Sequence, residues 1–487
     1  MSGGLRTLRD ALRRVPTTAW ICAAIAAANA ACWATVTPPF WVPDEPAHAG
    51  YVQHLAETGG PPKPAPYKPS EEQSALAGGL QFNVEGRPPW LEQEAEESRQ
   101  ALDSANLGRV EEGQAYGAVN YPPLYYAYEA LPYLVFYGAS FDDRLYAMRL
   151  FSALLAGLTA LFTFLFIREL IPRTPWVWTI GALAVAFQPL LGFLSGGVNN
   201  DVLILTASAA LLFGLARAFR RGLSPATGAV IGLALAVGLL TKPTILGLVP
   251  GTALGLLVLV WRGPRGRRTA LLGATAATFL AVVPFGAWFV AEKTLLEREG
   301  APTSGIATST ASQSGSQFVD LLGYLWQSVL PRLPFMNDQF SYYAPWEIYF
   351  KGFIGRFGWF EFGFSAAWNI VALAVFAMIA VFVALGLRAH WASFRRRWPE
   401  LVVYLSLAGG VLLATEVAAY RYHLATDQYA EQTRYLMPLL GLYGALIAVA
   451  ALGAGPRYGR AVGALLVVLA MGHSLFSQLL TVARFYT

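Results

Sequence analysis

Thr17-Thr-Ala-Trp-Ile-Cys-Ala-Ala-Ile-Ala-Ala-Ala-Asn-Ala-Ala-Cys-Trp-Ala-Thr-Val36 runs without a charged side chain, and Val42-Pro43-Asp44-Glu45-Pro46-Ala47-His48 follows a few residues later. An apolar stretch of about 20 residues matches the hydrocarbon thickness of a bilayer when helical. Arg6, Arg9, Arg13 and Arg14 precede it. A cleaved signal peptide has a shorter apolar core, so the stretch is expected to be a retained first span with a cytoplasmic start. Two adjacent acids bracketed by prolines then stand just beyond its far end.

The rest of the chain repeats the pattern. Of its 487 residues, 55% are hydrophobic and 13% charged, against about 25% charged in soluble domains. With a mean hydropathy of +0.45, so apolar a chain needs lipid as solvent. Apolar stretches of spanning length fall near 17–37, 145–167, 176–197, 201–217, 225–241, 244–261, 269–290, 365–387, 400–419, 435–452 and 460–482. The expectation is an all-α polytopic membrane protein of about eleven transmembrane helices. Its parts would be a cytoplasmic N-terminus (1–16), a transmembrane module (17–290) containing an extracytoplasmic loop (38–144), a second extracytoplasmic loop (291–364), and C-terminal transmembrane helices (365–487).

The pI of about 9.1 does not indicate a nucleic-acid partner, because the basic residues lie in short runs between spans. Loops on the N-terminal side carry 19 of the 35 Lys and Arg but only three acids, Asp10, Glu169 and Glu400. By the positive-inside rule those loops are cytoplasmic and the C-terminus extracytoplasmic, in the cytoplasmic membrane of a bacterium, a source that fits the Ala-, Gly- and Arg-rich composition. Cys22 and Cys32 lie on one helix and cannot pair with each other.

In the first loop, Pro61–Pro69 reads as extended, Trp90–Asn106 as a solvated acidic helix, and the aromatic run from Tyr121-Pro-Pro-Leu-Tyr-Tyr to Tyr137 as an interfacial or re-entrant helix. In the second, the Ser/Thr/Gly-rich tract Thr303–Ser316 reads as a mobile connector or a lid. Aromatic-rich sequence from Tyr324 to Phe364 reads as lying along the membrane surface.

All chemistry-bearing candidates map to one membrane face. Asp44 and Glu45, stiffened by Pro43 and Pro46, suit a general base or a divalent-metal ligand, or alternatively a helix cap and a dipole partner. His48 lies one turn on. Asn200 and Asp201 follow Gly196-Gly197, small residues that let a neighbour approach closely; Asp201 could also cap its helix. Lys242, against the charge trend of its face, suits a phosphate or lipid headgroups. Arg421 and Arg434 crowd a short outer loop, where they suit a lipid phosphate or mutual salt bridges. Arg149, one turn inside its span, must face a polar cavity or a partner. Several spans, 225–241 and 244–261 among them, hold no ionisable interior residue, which argues against a proton-coupled transporter.

The long first loop opening on Val42-Pro-Asp-Glu-Pro-Ala-His, with Tyr121-Pro-Pro-Leu-Tyr-Tyr, Asn199-Asn-Asp and Gln432-Thr-Arg-Tyr-Leu-Met-Pro, resembles the GT-C superfamily of membrane glycosyltransferases. Its first-loop motif is most like that of a bacterial branch of predicted integral membrane proteins. The resemblance implies sugar transfer from a polyprenyl-phosphate donor to an extracytoplasmic glycan, lipid or protein acceptor, commonly with inversion. Asp44 would be the general base and Glu45 its helper or a metal ligand. Arg149, Lys242, Arg421 and Arg434 would hold donor phosphate, with His48, Tyr121 and Asn200 lining the substrate site. Some GT-C members use a divalent cation, Mg or Mn; Asp44 and Asp201 could form such a pair, although no Asp-x-Asp stands in the first loop. A lipid-linked saccharide transporter or flippase, or a non-catalytic envelope-assembly scaffold, are the other functions such a chain could serve.

Overall fold

The computed structural model describes residues 15–63, 69–79, 96, 97, 100, 107, 118–263, 266–295, 315–340 and 344–486. The tracts 1–14, 64–68 and 303–314, and most of Trp90–Asn106, on which sequence expectations were placed, lie outside the described residues.

All eleven apolar stretches are helical. Among the described residues nine helices are long and apolar enough to cross a membrane: Thr17–Val36, Phe141–Leu170, Asp201–Arg221, Pro243–Arg262, Arg267–Thr294, Ala366–Ala389, Trp398–Thr426, Thr433–Gly453 and Gly455–Tyr486. The other two stretches depart from the simple pattern for local reasons. The expected span at 176–197 is two helices, Pro175–Ala186 and Pro189–Ser195, bent by 58°. Pro189 disfavours helical geometry in the residue before it, and the Gln188 side chain caps the second piece by accepting from Leu191 N at 2.7 Å. The stretch at 225–241 yields only Pro225–Leu239, because Thr241-Lys242-Pro243 ends it.

Two spans begin with a 3-10 turn instead of an α-helical one: Pro243–Leu248 leads into Val249–Arg262, and Thr433–Leu439 leads into Leu440–Gly453. A proline stands near each junction, Pro250 just after the first lead-in and Pro438 within the second, and removes a ladder donor. Lys242 immediately precedes the first and Arg434 lies within the second.

Helix contacts use what lipid favours, small residues and buried polar side chains. A Cβ on Gly181 would stand 2.4 Å from Gly444 O, so this crossing needs glycine. Asn29 donates to Ala186 O at 3.1 Å and accepts from Ser474 Oγ and Gln478 Nε2 at 3.0 Å each, tying the first span, helix Pro175–Ala186 and the last span together. Ala366–Ala389, the most apolar span with a hydropathy of 3.0, has Gly386 as its one buried residue, as a lipid-facing helix would.

Charged side chains collect at the two ends. At one, Glu169 takes Arg217 (3.3 Å), Arg220 (3.0 Å) and Arg221 (2.9 Å), and Glu400 takes Arg397 (2.7 Å). The opposite end carries both long connections. Helix α2 (Glu45–Thr58) follows the first span, helix α1 (Thr17–Val36), and Leu124–Val135 forms a 12-residue helix with Tyr125, Tyr126, Glu129 and Tyr133 buried and Leu131, Leu134 and Val135 exposed. It is the short, one-sided helix expected there. In the second connection, helices Gly315–Gln327 and Pro345–Gly355 are followed by a hairpin pairing Arg356–Phe357 with Phe362–Gly363.

Candidate functional site

The site is built on the turn between the first span and α2. Residues 38–44 are held by Phe40 and Trp41, both fully buried. Trp41 packs on Phe485 at 5.0 Å, and Trp359 Nε1 donates to Phe40 O at 3.2 Å. A Cβ on Gly197 would meet Val42 Cγ2 at 2.5 Å, and one on Gly196 would meet Ala34 N at 2.7 Å. Gly197 thus admits the first loop itself, and Gly196 the end of the first span. Asn199 completes the contact by donating to Pro43 O at 2.9 Å.

Asp44 has φ 64° and ψ 5°, left-handed values that Asp tolerates better than most residues. This kink sends the two adjacent carboxylates in opposite directions. Glu45 turns inward and is fully buried. Its Oε1 accepts from Arg149 Nε (2.7 Å) and Val198 N (3.0 Å), and its Oε2 from Arg149 Nη2 (2.6 Å) and Phe40 N (2.8 Å). Arg149 spends its remaining donors on the carbonyls of Ala34 (3.1 Å), Thr37 (2.6 Å) and Pro38 (2.9 Å). A guanidinium has five N–H donors and a carboxylate about four lone-pair sites; here each is used. The geometry commits Glu45, a candidate catalytic residue, and Arg149, a candidate phosphate ligand, to each other in a clamp that fixes the turn.

Asp44 turns the other way. It makes no side-chain cap hydrogen bond, and its Oδ2 lies 2.7 Å from Arg434 Nη2. Arg434 Nε is 3.8 Å from Asp201 Oδ2, and Asp201 Oδ1 is 2.5 Å from Lys242 Nζ. Two acids and two bases, from the first loop, the start of Asp201–Arg221 and the two 3-10 lead-ins, thus form one cluster. Asp44 is its accessible member, with a side chain 39% exposed against 7% for Arg434, 6% for Lys242 and 4% for Asp201. Asp201 is the first residue of its helix and spends its carboxylate on Lys242. Several buried polar atoms of the cluster have no hydrogen-bond partner: Arg434 Nε and Nη1, Asp201 Oδ2 and Asn200 Oδ1.

A tyrosine wall backs the cluster. His48 Nδ1 lies 2.9 Å from Tyr126 Oη, to which Asn200 Nδ2 donates at 3.3 Å. Tyr51 stacks on Tyr126 at 3.7 Å, and Lys242 Nζ sits 5.4 Å from the Tyr121 ring and 5.5 Å from that of Tyr435. His48, Tyr121 and Asn200 are therefore assembled beside Asp44, as the sequence suggested. Arg421 is half-buried near the end of Trp398–Thr426; the ion pairs of Asp44 and Asp201 are made by Arg434 and Lys242. Tyr126, Asn199 and Tyr435 were not singled out as site residues, although each stands inside a quoted motif.

Burial acts to raise the Asp44 carboxyl, but Arg434 chiefly, helped by His48 and Lys242, overrides it and holds the group at about 2. Burial pulls His48 down to about 4, so its ring is neutral at physiological pH. Burial also opposes the charge on Lys242, yet Asp201 outweighs it and the ammonium is held above its usual range. The cluster thus sets two cationic side chains, Arg434 and Lys242, against two acidic ones, Asp44 and Asp201.

For the expected metal, Asp44 and Asp201 were the candidate ligands. Each already faces a cation, Glu45 is spent on Arg149, and among the described residues no group of three or more His, Cys, Asp or Glu is placed to hold a metal ion. Mg2+ is usually held by one or two carboxylates with water completing its octahedron, and here both carboxylates are already paired with buried cations. The residues present do not fit it.

Among solved structures, the chain is similar to ArnT from Cupriavidus metallidurans in the apo state, with 15% identity and a TM-score of 0.45 over 88% of this chain and 58% of that one. It is also similar to the archaeal oligosaccharyltransferase AglB from Archaeoglobus fulgidus in complex with an inhibitory peptide and a dolichol-phosphate, with 12% identity and a TM-score of 0.48 over 94% of this chain and 55% of that one. The chain thus spans little more than half the length of these proteins. No curated protein matches it in sequence. The family model described as "Predicted membrane protein (DUF2142)" matches residues 29–443, most of the chain and every residue of the cluster, and the chain belongs to that family.

Proposed function

We propose that the chain is a GT-C-type glycosyltransferase that moves a sugar from a polyprenyl-phosphate donor to an extracytoplasmic acceptor. Its N-terminus would be cytoplasmic and the Asp44 end of the bundle would face away from the cytoplasm. The observation that carries this reading is the placement of one accessible carboxylate, Asp44, 2.7 Å from a buried arginine that retains unpaired donors. The Arg-rich opposite end, where Glu169 and Glu400 are neutralised, supports the orientation.

In this mechanism Asp44 takes the proton of the acceptor hydroxyl, whose oxygen attacks the anomeric carbon. The bond from that carbon to the donor phosphate oxygen breaks, and the electron pair leaves with the lipid phosphate. Arg434 and Lys242 stabilise the charge that develops there. With its pKa held at about 2, Asp44 is ionised at any physiological pH but binds a proton weakly. Donor phosphate drawing Arg434 toward itself would restore the basicity that general-base catalysis needs.

The test is to purify wild type and Asp44→Asn in detergent, supply a panel of radiolabelled polyprenyl-phosphate sugars, and follow label leaving the lipid. Wild type should consume one donor, with Asp44→Asn slower by roughly 10²–10⁴-fold, the usual worth of a positioned general base. Full activity in Asp44→Asn would refute the assignment. In proteoliposomes, lipid-linked sugar changing sides without a new glycosidic bond would support the transporter instead.

A further inference from the structure

The charge balance of the cluster bears on what the site accepts. Arg434 and Lys242 contribute two positive charges, Asp44 and Asp201 two negative ones, and all but Asp44 have side chains less than a tenth exposed. A divalent cation between the carboxylates would sit against two buried cations already paired at 2.7 and 2.5 Å. Arg434 meanwhile keeps Nε and Nη1 without hydrogen-bond partners. Unpaired buried donors on a cation are costly and fit an anionic ligand.

We propose that Arg434 and Lys242 stand where a divalent cation would otherwise be needed, making this a metal-independent site for a single lipid-linked phosphate and not for a diphosphate. This deepens the glycosyltransferase reading and rests on it for the reaction, though not for binding. The charge accounting is as follows for a sugar phosphodiester donor of charge −1. As the acceptor O–H breaks, its proton goes to Asp44 and the cluster changes from neutral to +1. As the bond between the anomeric carbon and the phosphate oxygen breaks, the lipid phosphate changes from −1 to −2. The new positive charge thus appears beside the new negative one, and the local total stays constant with no metal. A diphosphate donor would bring a further negative charge that nothing in the cluster matches.

Full-length protein in nanodiscs, stripped with EDTA, is titrated with polyprenyl monophosphate and polyprenyl diphosphate, with and without added Mg2+ or Mn2+. The expected result is monophosphate binding that EDTA leaves within about twofold and diphosphate binding that is weaker with or without metal. Arg434→Gln should weaken monophosphate binding by roughly tenfold or more, the scale of a charge-assisted contact, with Arg434→Lys intermediate. Arg434→Lys keeps the charge, so it separates loss of a ligand contact from loss of fold. Binding abolished by EDTA and restored by Mg2+ or Mn2+, tighter binding of the diphosphate, or no binding of either lipid would each overturn the proposal. Metal-independent binding without sugar transfer would sink the glycosyltransferase reading alone, whereas transfer that requires metal would sink this inference alone.

Discussion

Replacing Arg149 by Met should unfold the turn that presents Asp44, without touching any atom of the Asp44–Arg434–Asp201–Lys242 cluster. Methionine approximates the length of arginine but donates nothing. The change leaves the Glu45 carboxyl fully buried without its cationic partner, with only Phe40 N and Val198 N for partners, and strands the carbonyls of Ala34, Thr37 and Pro38. Interhelical hydrogen bonds in membrane proteins average about 0.6 kcal/mol, so the five Arg149 donors alone reach about 3 kcal/mol. Removing one partner of a buried ion pair costs about 3–5 kcal/mol, or roughly 10²–10³·⁵-fold in the unfolding equilibrium. Glu45→Leu on the same background removes the orphaned carboxyl and should recover part of the loss. The recovery is incomplete, because Phe40 N and Val198 N then lose their acceptor. The assay is thermal unfolding of the purified protein in nanodiscs, with Asp44→Asn as the control. Asp44→Asn keeps a backbone geometry Asn also tolerates but gives up the partly exposed ion pair to Arg434, so it should lose less stability than Arg149→Met while losing activity. An Arg149→Met protein that melts with wild type would refute the clamp, and one that bound donor less well without losing stability would return Arg149 to phosphate binding.

Two further outcomes follow from backbone and charge. Asp44→Ala should be less stable than Asp44→Gly by about 1–2 kcal/mol, the cost of a Cβ in left-handed geometry, while both are inactive; equal melting would mean that the kink at φ 64° relaxes without cost. His48, lowered to about 4 by burial, stays neutral in the fold while the unfolded chain takes up a proton near pH 6.5. Its contribution to stability is therefore full above pH 6.5 and is lost progressively as pH falls toward 4. His48→Gln should lack that slope, which then appears as the difference between the two proteins' melting profiles. The difference is the right quantity, because burial holds the Glu129 carboxyl well above its usual range and adds a slope of opposite sign to both proteins.

The spans were legible because their signal is additive: twenty apolar residues in a row need no tertiary context. The exceptions are where a single residue decides. Pro189 breaks the expected span at 176–197, and Thr241-Lys242-Pro243 shortens the one at 225–241. The site was legible as a set of residues on one membrane face. His48, Tyr121, Asn200, Asp201, Lys242 and Arg434 do converge around Asp44, and they come from five segments spread over nearly four hundred positions, so only the alternation of spans could have put them together. Their pairing was not legible. Arg149 is more than a hundred residues from Glu45, and no local pattern says which of two adjacent carboxylates an intramembrane arginine will choose.

That choice follows from the turn itself. Adjacent acids on an extended segment face opposite sides, and on a helix they diverge by about 100°; in either case one can be buried while the other is open. Here the left-handed residue between the Pro-rich loop and α2 sets the divergence, and it falls on Asp44 itself. Phe40, at φ 69°, is a second strained residue four positions earlier, and its N–H is one of the groups that Glu45 accepts from. Strained backbone of this kind costs of order 1–3 kcal/mol per residue and persists only where surrounding contacts over-determine it. The Glu45–Arg149 clamp, the Val42–Gly197 contact and the buried Trp41 are those contacts. A loop meant only to connect two helices would not need them. Their investment at a turn whose one accessible charged side chain is Asp44 argues that this carboxylate's position is what the first loop is built to hold.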